Sequence, residues 1–357
     1  MIITRYLTRQ VLQATAALTF ILLIVVVLGR LLNYLAQASE GELDPGILML
    51  LMSYRVPEFL QLILPLALLV GILLAYGRMY AESEMTVLTA CGIGPARLLK
   101  ITCVPTFAVA LLVASLTLWV TPRGLVNMAT LIEAQRNLNE FDLMVPGLFQ
   151  EISNGARTTY AEAIEGDEMR GVFMHQAEDN RVIYAESAIP VEDATGRRFI
   201  QFRNGSFADG EAGTADFELT TFAEAGFALP PRELAIDIQL EEEALATAAL
   251  LGASDLAQVA ELQWRISLVL LIPVLALLAV PLSRVSPREG RFARIVPALL
   301  LYLVYFALLL AARDWLADGT LPPALGLWWI HAAFALLAWL LFTGRVPKLP
   351  ALRARHA

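Results

Sequence analysis

Hydrophobic residues are concentrated in long uncharged runs near both ends of the chain, and a polar segment separates the two groups. The runs lie between the charged residues Arg9 and Arg30, Glu58 and Arg78, Lys100 and Arg123, and, beyond the polar segment, Arg265 and Arg284, Arg294 and Arg313, and Asp318 and Arg345. A helix needs about 20 mostly apolar residues to cross the hydrocarbon core of a bilayer. The pattern therefore predicts six transmembrane helices, three on each side of the polar segment.

The polar segment, residues 123–264, contains short apolar stretches separated by turn signals such as Asn154-Gly155 and Asn204-Gly205. The predicted strands are Leu148–Ile152, Thr158–Ala163, Val172–His175, Val182–Ala185, Phe199–Phe202 and Phe217–Phe222. Short strands at this spacing indicate an all-β sandwich or roll. An open sheet edge would suit pairing with a strand of a partner, and a protected edge is the alternative. The stretch Glu241–Gln263 is rich in alanine and leucine and predicts a helix leading into the fourth span.

Basic residues flank the predicted spans at alternate connections, which is typical of the cytoplasmic side of a membrane. They are Arg5 and Arg9, then Arg78, Arg97 and Lys100, then Arg284, Arg288, Arg291 and Arg294, and finally Arg345, Lys348, Arg353 and Arg355. The other connections carry Glu40, Glu42, Asp44 and Arg55, and Arg313, Asp314 and Asp318. We therefore predict cytoplasmic termini and an exported polar segment, a topology that suits a bacterial inner membrane. The first run is too long for a typical signal peptide and is expected to remain as an anchor.

Charge divides the chain in the same way as hydrophobicity. Residues 123–264 contain 9 arginines and 25 acidic residues, a net charge of −16, and the remainder contains 17 basic and 9 acidic residues, a net charge of +8. An acidic exported segment argues against nucleic acid as a partner. Without a partner histidine or a spacing rule, its carboxylates are interpreted as a solvated surface.

Cysteine and histidine are too few and too scattered to indicate a metal site. Cys91 and Cys103 both lie outside the polar segment, which therefore contains no disulfide. His175, His331 and His356 form no cluster with metal-ligand spacing. The sequence also lacks a phosphate-binding loop, a zinc-protease motif and a nucleophile elbow. We therefore expect no cofactor bound by this chain and no catalytic residues in it.

The connection between the second and third spans carries a more specific signal. Residues 79–91 predict a helix that ends before Gly94-Pro95. On this helix an apolar stripe would be formed by Tyr80, Val87, Leu88 and Cys91, with Glu84 inside it. A carboxylate within an apolar stripe predicts docking of a partner. The alternative is an amphipathic helix on the membrane surface with its carboxylates in water, although such helices usually favour basic residues.

Four segments resemble the lipopolysaccharide-export permease family, LptF/LptG, and are more similar to its LptF branch than to its LptG branch. They are Met1–Leu7, Val56–Leu66, the residues Tyr80–Val87 with Ala90–Gly92, and Val280–Arg291. The similarity extends along the whole chain, although residues 123–264 match mainly in position, size and strand pattern. The implied function is that of a permease subunit of an ABC exporter, not an enzyme. It would extract lipopolysaccharide from the outer leaflet of the inner membrane and pass it to a periplasmic bridge.

The resemblance also implies an architecture and a set of partners. Residues 1–122 would form transmembrane helices 1–3 with a coupling helix at about 79–91, residues 123–264 a periplasmic β-jellyroll, and residues 265–357 helices 4–6 with a cytoplasmic tail. The partners would be a sister permease (LptG), a cytoplasmic ATPase dimer (LptB) carrying ATP and Mg, and the single-span LptC with its own jellyroll. The residues expected to couple to the ATPase are Tyr80, Glu82, Glu84, Val87, Leu88 and Cys91, of which Glu84 is the main candidate.

The substrate's chemistry selects further candidates. Guanidinium groups bind phosphate through paired hydrogen bonds, and the arginines at predicted outer ends of spans are Arg30, Arg55, Arg265 and Arg313. Snorkelling to ordinary lipid phosphate is the alternative for each. The family often has a second basic residue one turn after the position of Arg30, where this chain has Asn33. Candidates for an acyl-chain cavity are Leu62, Leu66, Val269, Pro273, Leu301 and Tyr305, which would otherwise face lipid.

Two other functions remain open at this stage. A membrane-anchored envelope enzyme would need a nucleophile and a base in the exported segment. A mechanotransmission protein driven by an ATPase would share the coupling helix but move no substrate. A secondary transporter is disfavoured because the two groups of spans show no internal repeat.

Overall fold

The computed structural model describes residues 2–39, 45–136, 145–152, 157–166, 168–177, 180–192, 198–210, 217–228, 242–284 and 294–344. The chain divides into two units. The helical unit contains Met1–Val27, Ser53–Val126 and Gln239–Ala357, and the sheet unit contains Leu28–Met52 and Asn127–Ile238. Charged residues used for the topology prediction that lie outside the described ranges are Glu40, Glu42, Asp44, Arg288, Arg291, Arg345, Lys348, Arg353 and Arg355.

Long apolar helices account for most of the described chain outside the sheet. The helices are α1 (Ile2–Ser39), α2 (Leu48–Ala81), α3 (Glu84–Ala90), α4 (Pro95–Ser115), α5 (Thr121–Arg136), α6 (Thr247–Leu250), α7 (Leu256–Leu282), α8 (Ile295–Ala317) and α9 (Trp328–Thr343). A π-helical stretch, Leu116–Val120, joins α4 to α5. The described residues form five candidate spans: α1, α2, α4 with α5, α7 and α8. The prediction of a helical membrane protein is confirmed.

The sixth predicted span corresponds to α9, which is shorter than the others. It has 16 residues and ends at Thr343, where Gly344 adopts a left-handed conformation with φ of 71°. A crossing helix usually needs about 17 residues or more. The uncharged run between Asp318 and Arg345 is longer than α9 because residues 318–327 form turns.

Helix α7 forms the centre of the helical unit and packs against α4, α8 and α9. Its apolar residues on several sides are buried, including Leu268, Leu271 and Leu275. Close approach of α1 to α2 depends on Gly71, because a Cβ at this position would collide with the backbone and hydroxyl of Thr15. Small residues at helix contacts serve this purpose in membranes, where no hydrophobic effect drives the helices together.

The sheet unit contains one six-stranded antiparallel sheet. Its strands are β1 (Gln150–Ile152), β2 (Arg157–Glu165), β3 (Glu168–Gln176), β4 (Arg181–Glu192), β5 (Arg198–Gly210) and β6 (Phe217–Ala228). Each strand pairs with the next along the chain. One face is apolar and includes the buried residues Val172, Ile183 and Phe202. The all-β prediction and all six strand positions are confirmed, and the jellyroll closure stays a prediction.

The prediction of a turn at Asn204-Gly205 was wrong, because both residues lie inside β5. Asn204 has a positive φ of 47° there. Gly205 is needed for packing, since a Cβ would collide with the backbone of Tyr184 and the ring of Phe222 on the neighbouring strands. The close approach of neighbouring strands, rather than a chain reversal, explains the glycine.

The continuous helix predicted over Glu241–Gln263 was also wrong in its described part. The chain forms the short helix α6 and then a turn containing Gly252, whose φ is 84°. Helix α7 starts only at Leu256, where the side chain of Asp255 accepts a hydrogen bond of 3.3 Å from the Ala257 backbone N–H. Because α5 runs to Arg136 and α7 starts at Leu256, the helices extend past the predicted boundaries at 122 and 265.

Candidate functional site

The connection between α2 and α4 is a short helix set off by two turns. The single helix predicted over residues 79–91 was wrong, because the chain breaks at Glu82 and Ser83 between α2 and α3. Ser83 is left-handed with φ of 63°, a conformation that cannot continue a right-handed helix. Its backbone oxygen then accepts hydrogen bonds from the N–H groups of Thr86 and Val87, which starts α3.

The far end of α3 is fixed by backbone hydrogen bonds and a glycine. The N–H of Gly92 donates to the oxygen of Thr89, and the N–H of Ile93 donates to the oxygen of Leu88. This is the Schellman pattern, in which the left-handed position is taken by Gly92 with φ of 86°. The side chain of Ile93 is buried, and Pro95 then opens α4.

The break at Ser83 divides the predicted apolar stripe between two helices. Tyr80 is half-buried on α2, and Leu88 packs partly buried against the helical core. The anchor of α3 is Met85, which is 3% exposed and was missed by the sequence analysis. The residues of this region that project into solvent are Glu82, Ser83, Thr86, Val87, Thr89, Ala90 and Cys91. The exposed surface of α3 is therefore mixed in character, not an apolar stripe.

Glu84 is held by a residue that is distant in sequence. The hydroxyl of Tyr6 on α1 donates a hydrogen bond of 3.1 Å to the Glu84 carboxylate. The neighbouring Glu82 lies 4.0 Å from Arg78 at the surface. No sequence signal points to Tyr6, because the contact depends on how α1 and α3 approach each other.

A second polar site is centred on Arg265, which is only 2% exposed. A guanidinium has five N–H donors. Hydrogen bonds of 2.7–3.3 Å join them to the carboxylate of Glu261, the hydroxyl of Thr247 and the backbone oxygens of Glu242, Glu243 and Leu245. Every donor is used, so Arg265 has none left for lipid phosphate. Its role in headgroup binding stays a prediction, and this conformation offers no free donor for it.

Arg313 shares the carboxylate partners of Arg265. Its terminal nitrogen lies 2.9 Å from Glu243 and 2.9 Å from the second oxygen of Glu261. The guanidinium also lies 5.4 Å from the ring centre of Trp264. Two anions and an aromatic face thus hold Arg313, and it is not an exposed phosphate ligand in this conformation.

The two arginines border a cavity of about 310 Å³ inside the helical unit. Its wall includes Glu58, which pairs with Arg55 at 2.7 Å, together with the apolar residues Leu62 and Phe306. Thr247 joins this group to the π-helical stretch, because its hydroxyl donates a hydrogen bond to the Leu118 backbone oxygen. We name Glu243, Thr247, Glu261, Arg265 and Arg313 the arginine clasp, because they hold the segment 242–247 against the π-helical stretch, α7 and α8.

The predicted acyl-chain residues do not share one environment. Leu62 lines the cavity, Leu66, Val269 and Leu301 are half-buried, and Pro273 is exposed. Tyr305 is fully buried, hydrogen bonds to His331 at 2.6 Å and stacks on Phe334 at 3.9 Å. Its side chain packs between α8 and α9, and its assignment to an acyl-chain cavity stays a prediction.

Arg30 is exposed on the part of α1 that belongs to the sheet unit. Its predicted role therefore remains a prediction. Among the described residues, no group of three or more His, Cys, Asp or Glu side chains has the arrangement of a metal site.

Known proteins are similar to this chain over nearly its whole length. The family model described as "Lipopolysaccharide export system permease LptF/LptG" matches residues 5–344. The chain belongs to this family. The LptF permease of Escherichia coli K12 is 32% identical over 344 residues, covering 95% of this chain and 93% of the relative. The LptF of Shigella flexneri matches equally well, and the LptG of Escherichia coli K12 is 26% identical over 52% of this chain and 53% of its own length.

Membership of the LptF/LptG family defines the class of protein. The chain is a multi-pass membrane protein and a permease subunit of a lipopolysaccharide export system, not an enzyme. The weaker match to LptG shows that the two types of permease in the family are themselves related. The family resemblance inferred from short sequence segments is confirmed.

Proposed function

We propose that this chain is the LptF-type permease of an ABC exporter that lifts lipopolysaccharide out of the outer leaflet of the bacterial inner membrane. The observation that carries the proposal is the similarity to LptF over 95% of the chain. Both termini would be cytoplasmic, and the sheet unit would be periplasmic, joining a bridge of similar domains. The apolar face of its sheet would guide the acyl chains across the aqueous compartment.

The proposed complex has three protein partners. A sister permease of LptG type would complete the substrate cavity, an LptB-type ATPase dimer would hold ATP and Mg, and an LptC-type single-span protein would extend the bridge. We assign ATP hydrolysis to the ATPase partner. Among the headgroup candidates, Arg30 remains the primary one because it is exposed, whereas Arg55 is paired with Glu58.

The helix α3 is the proposed contact with the ATPase. Its two ends are fixed by Ser83 and Gly92, Met85 anchors it to the helical core, and Val87 and Cys91 project outwards. The side chain of Glu84 supplies a hydrogen-bond acceptor at its first turn. A rigid protruding element of this kind suits the transfer of a conformational change from a soluble motor to a membrane helix.

The decisive experiment is lipopolysaccharide release from proteoliposomes that contain the complex purified from native membranes. We expect ATP-dependent transfer to a soluble acceptor domain, with loss of transfer in Glu84→Ala and little change in Arg97→Gln, at an exposed position outside α3. ATP hydrolysis that depends on this chain but moves no lipopolysaccharide would instead support mechanotransmission. A chain that purifies without an ATPase would overturn the proposal.

A further inference from the structure

The N-terminal part of α1, together with Val104 of α4, borders an open groove that the export function does not explain. The groove has a volume of about 710 Å³, and its wall includes Arg5, Thr8, Arg9, Leu12 and Ala16 of α1 and Val104 of α4. Pockets that bind small ligands commonly have volumes of about 300–1,000 Å³. We call it the basic groove.

Polar and apolar residues follow each other in order along the groove. Arg5, Arg9, Leu12 and Ala16 are separated by four, three and four positions, so they lie on one face of α1. The positions from Arg5 to Ala16 span roughly 16 Å at about 1.5 Å per residue. That length is about half of the 30 Å hydrocarbon core. One end of the groove is thus cationic, the part beyond Arg9 is lined by Leu12, Gln13, Ala16 and Val104, and the whole groove is about as long as one leaflet is deep.

The cationic end lacks internal partners among the residues that the structure describes. No described carboxylate forms an ion pair with Arg5 or Arg9, and both side chains are exposed. The two exposed guanidinium groups are therefore available to bind one anionic group.

We propose that the basic groove binds an anionic phospholipid as a resident component of the permease. Its phosphate lies at Arg5 and Arg9, where it accepts hydrogen bonds from both guanidinium groups. One acyl chain follows Leu12, Ala16 and Val104. Basic pockets between transmembrane helices are known to hold such headgroups.

This lipid is distinct from the exported substrate. Arg5 and Arg9 precede the first uncharged run and Arg30 follows it, so the proposed substrate contact belongs to the opposite membrane interface. The site is also better suited to a lipid than to a partner helix. A helix packed along the groove would have to cover two unpaired guanidinium groups, and burying unpaired charge is costly.

The test uses the full chain purified with its co-purifying partners in mild detergent. Native mass spectrometry would compare retention of phosphatidylglycerol with that of phosphatidylethanolamine, a zwitterionic lipid of similar shape. The charge variant is Arg5→Gln with Arg9→Gln, and the matched control is Arg97→Gln, an exposed arginine outside the groove wall. A third variant, Ala16→Trp, fills the apolar part and keeps both charges.

We expect selective retention of phosphatidylglycerol and about a tenfold or greater loss in the double variant, since each basic residue near a membrane surface contributes substantially to anionic lipid binding. Arg97→Gln should retain the lipid, and Ala16→Trp should lose it. Equal retention of the two lipids, equal loss in Arg97→Gln, or full retention in Ala16→Trp would each overturn the proposal. A protein helix cross-linked into the groove in place of lipid would do the same.

The test is independent of the exporter proposal. Lipopolysaccharide retained by the same preparations is measured alongside, and we expect the double variant to keep it. Loss of lipopolysaccharide together with phosphatidylglycerol would show that the groove is part of the substrate path and would overturn the assignment of a resident lipid.

Discussion

Arg265 and Glu261 lie one turn apart on α7, and a hydrogen bond of 2.7 Å joins them where the arginine is 2% exposed. The same carboxylate binds Arg313 through its other oxygen at 2.9 Å. Glu261 therefore links two arginines from different helices. Because Arg265 also binds three backbone oxygens of the returning segment, this one side chain joins the chain leaving the sheet unit to the membrane helix that follows.

Replacement of Arg265 by methionine should strongly destabilise the helical unit. Removing one partner of a buried ion pair typically costs about 3–5 kcal/mol, because the remaining charge and the backbone oxygens lose their donors. Arg265→Lys should recover little, since an ammonium has three donors where five are used. The measurement is the thermal unfolding of the detergent-purified chain. Arg97→Met, at an exposed position, is the control and should leave the midpoint nearly unchanged.

The joint replacement of Arg265 and Glu261 by methionine tests whether the pair acts as a unit. We expect the double variant to be less destabilised than the sum of the two single variants, because each single change leaves an uncompensated charge. Additive losses would show that the pair contributes through packing alone.

Met85 and Val87 provide a matched comparison on α3, since one is buried and the other is 62% exposed. Met85→Ala should lower stability by about 2–5 kcal/mol, the usual range for truncating a buried methionine. Val87→Ser should leave unfolding unchanged but reduce retention of the proposed ATPase during purification. Unfolding midpoints and quantitative co-purification measure the two effects. Equal ATPase retention in wild type and Val87→Ser would remove Val87 from the proposed contact.

The bond between Tyr6 and Glu84 should affect coupling rather than stability. It is exposed, and surface hydrogen bonds and ion pairs usually contribute less than about 1 kcal/mol. We therefore expect Tyr6→Phe to unfold like the wild type and to alter ATP hydrolysis modestly, whereas Glu84→Gln should lower it clearly. A double-mutant cycle on the hydrolysis rate gives the interaction between the two positions. A larger defect in Tyr6→Phe than in Glu84→Gln would show that the carboxylate is not the main contact.

The sheet unit should lose stability in acid through Asp209. Hydrogen bonds from the Arg181 guanidinium on the paired strand lower the pKa of the Asp209 carboxyl below its ordinary value of 3.8. A lowered pKa in the folded state stabilises the fold above the unfolded pKa, and this contribution is lost as the pH falls through the folded value. Hydrogen exchange of β4 and β5, corrected for intrinsic rates, should accelerate below about pH 4. Asp209→Asn should show a smaller acid dependence.

Much of the fold was accessible from the sequence because hydrophobic periodicity is a property of local residues. The charge-free runs predicted the long helices, and alternating short stretches predicted the strands. The break at Ser83 was not predictable, since neither Glu82 nor Ser83 is a strong helix breaker. Its left-handed conformation follows from Met85 and Leu88 packing back onto the helical core, which is a tertiary effect.

The lipid-binding candidates show a second limit of sequence analysis. The position of Arg265 at the end of an uncharged run suggests exposure at the membrane interface. Burial arises because residues 242–247 pass over it and present backbone oxygens, a contact made by segments about 20 residues apart. Asn204-Gly205 was misinterpreted for a related reason. Gly205 is required because the adjacent strands come too close to leave room for a side chain, and not because the chain turns there.

The ends of α3 are fixed by the chain's own backbone, through Ser83 at one end and the hydrogen bonds of Gly92 and Ile93 at the other. A protein that docks on α3 therefore meets a surface that is already ordered. Little conformational entropy is lost in the encounter, so more of the contact energy remains for affinity. Variants of the exposed residues should then change how long the complex lasts more than how fast it forms.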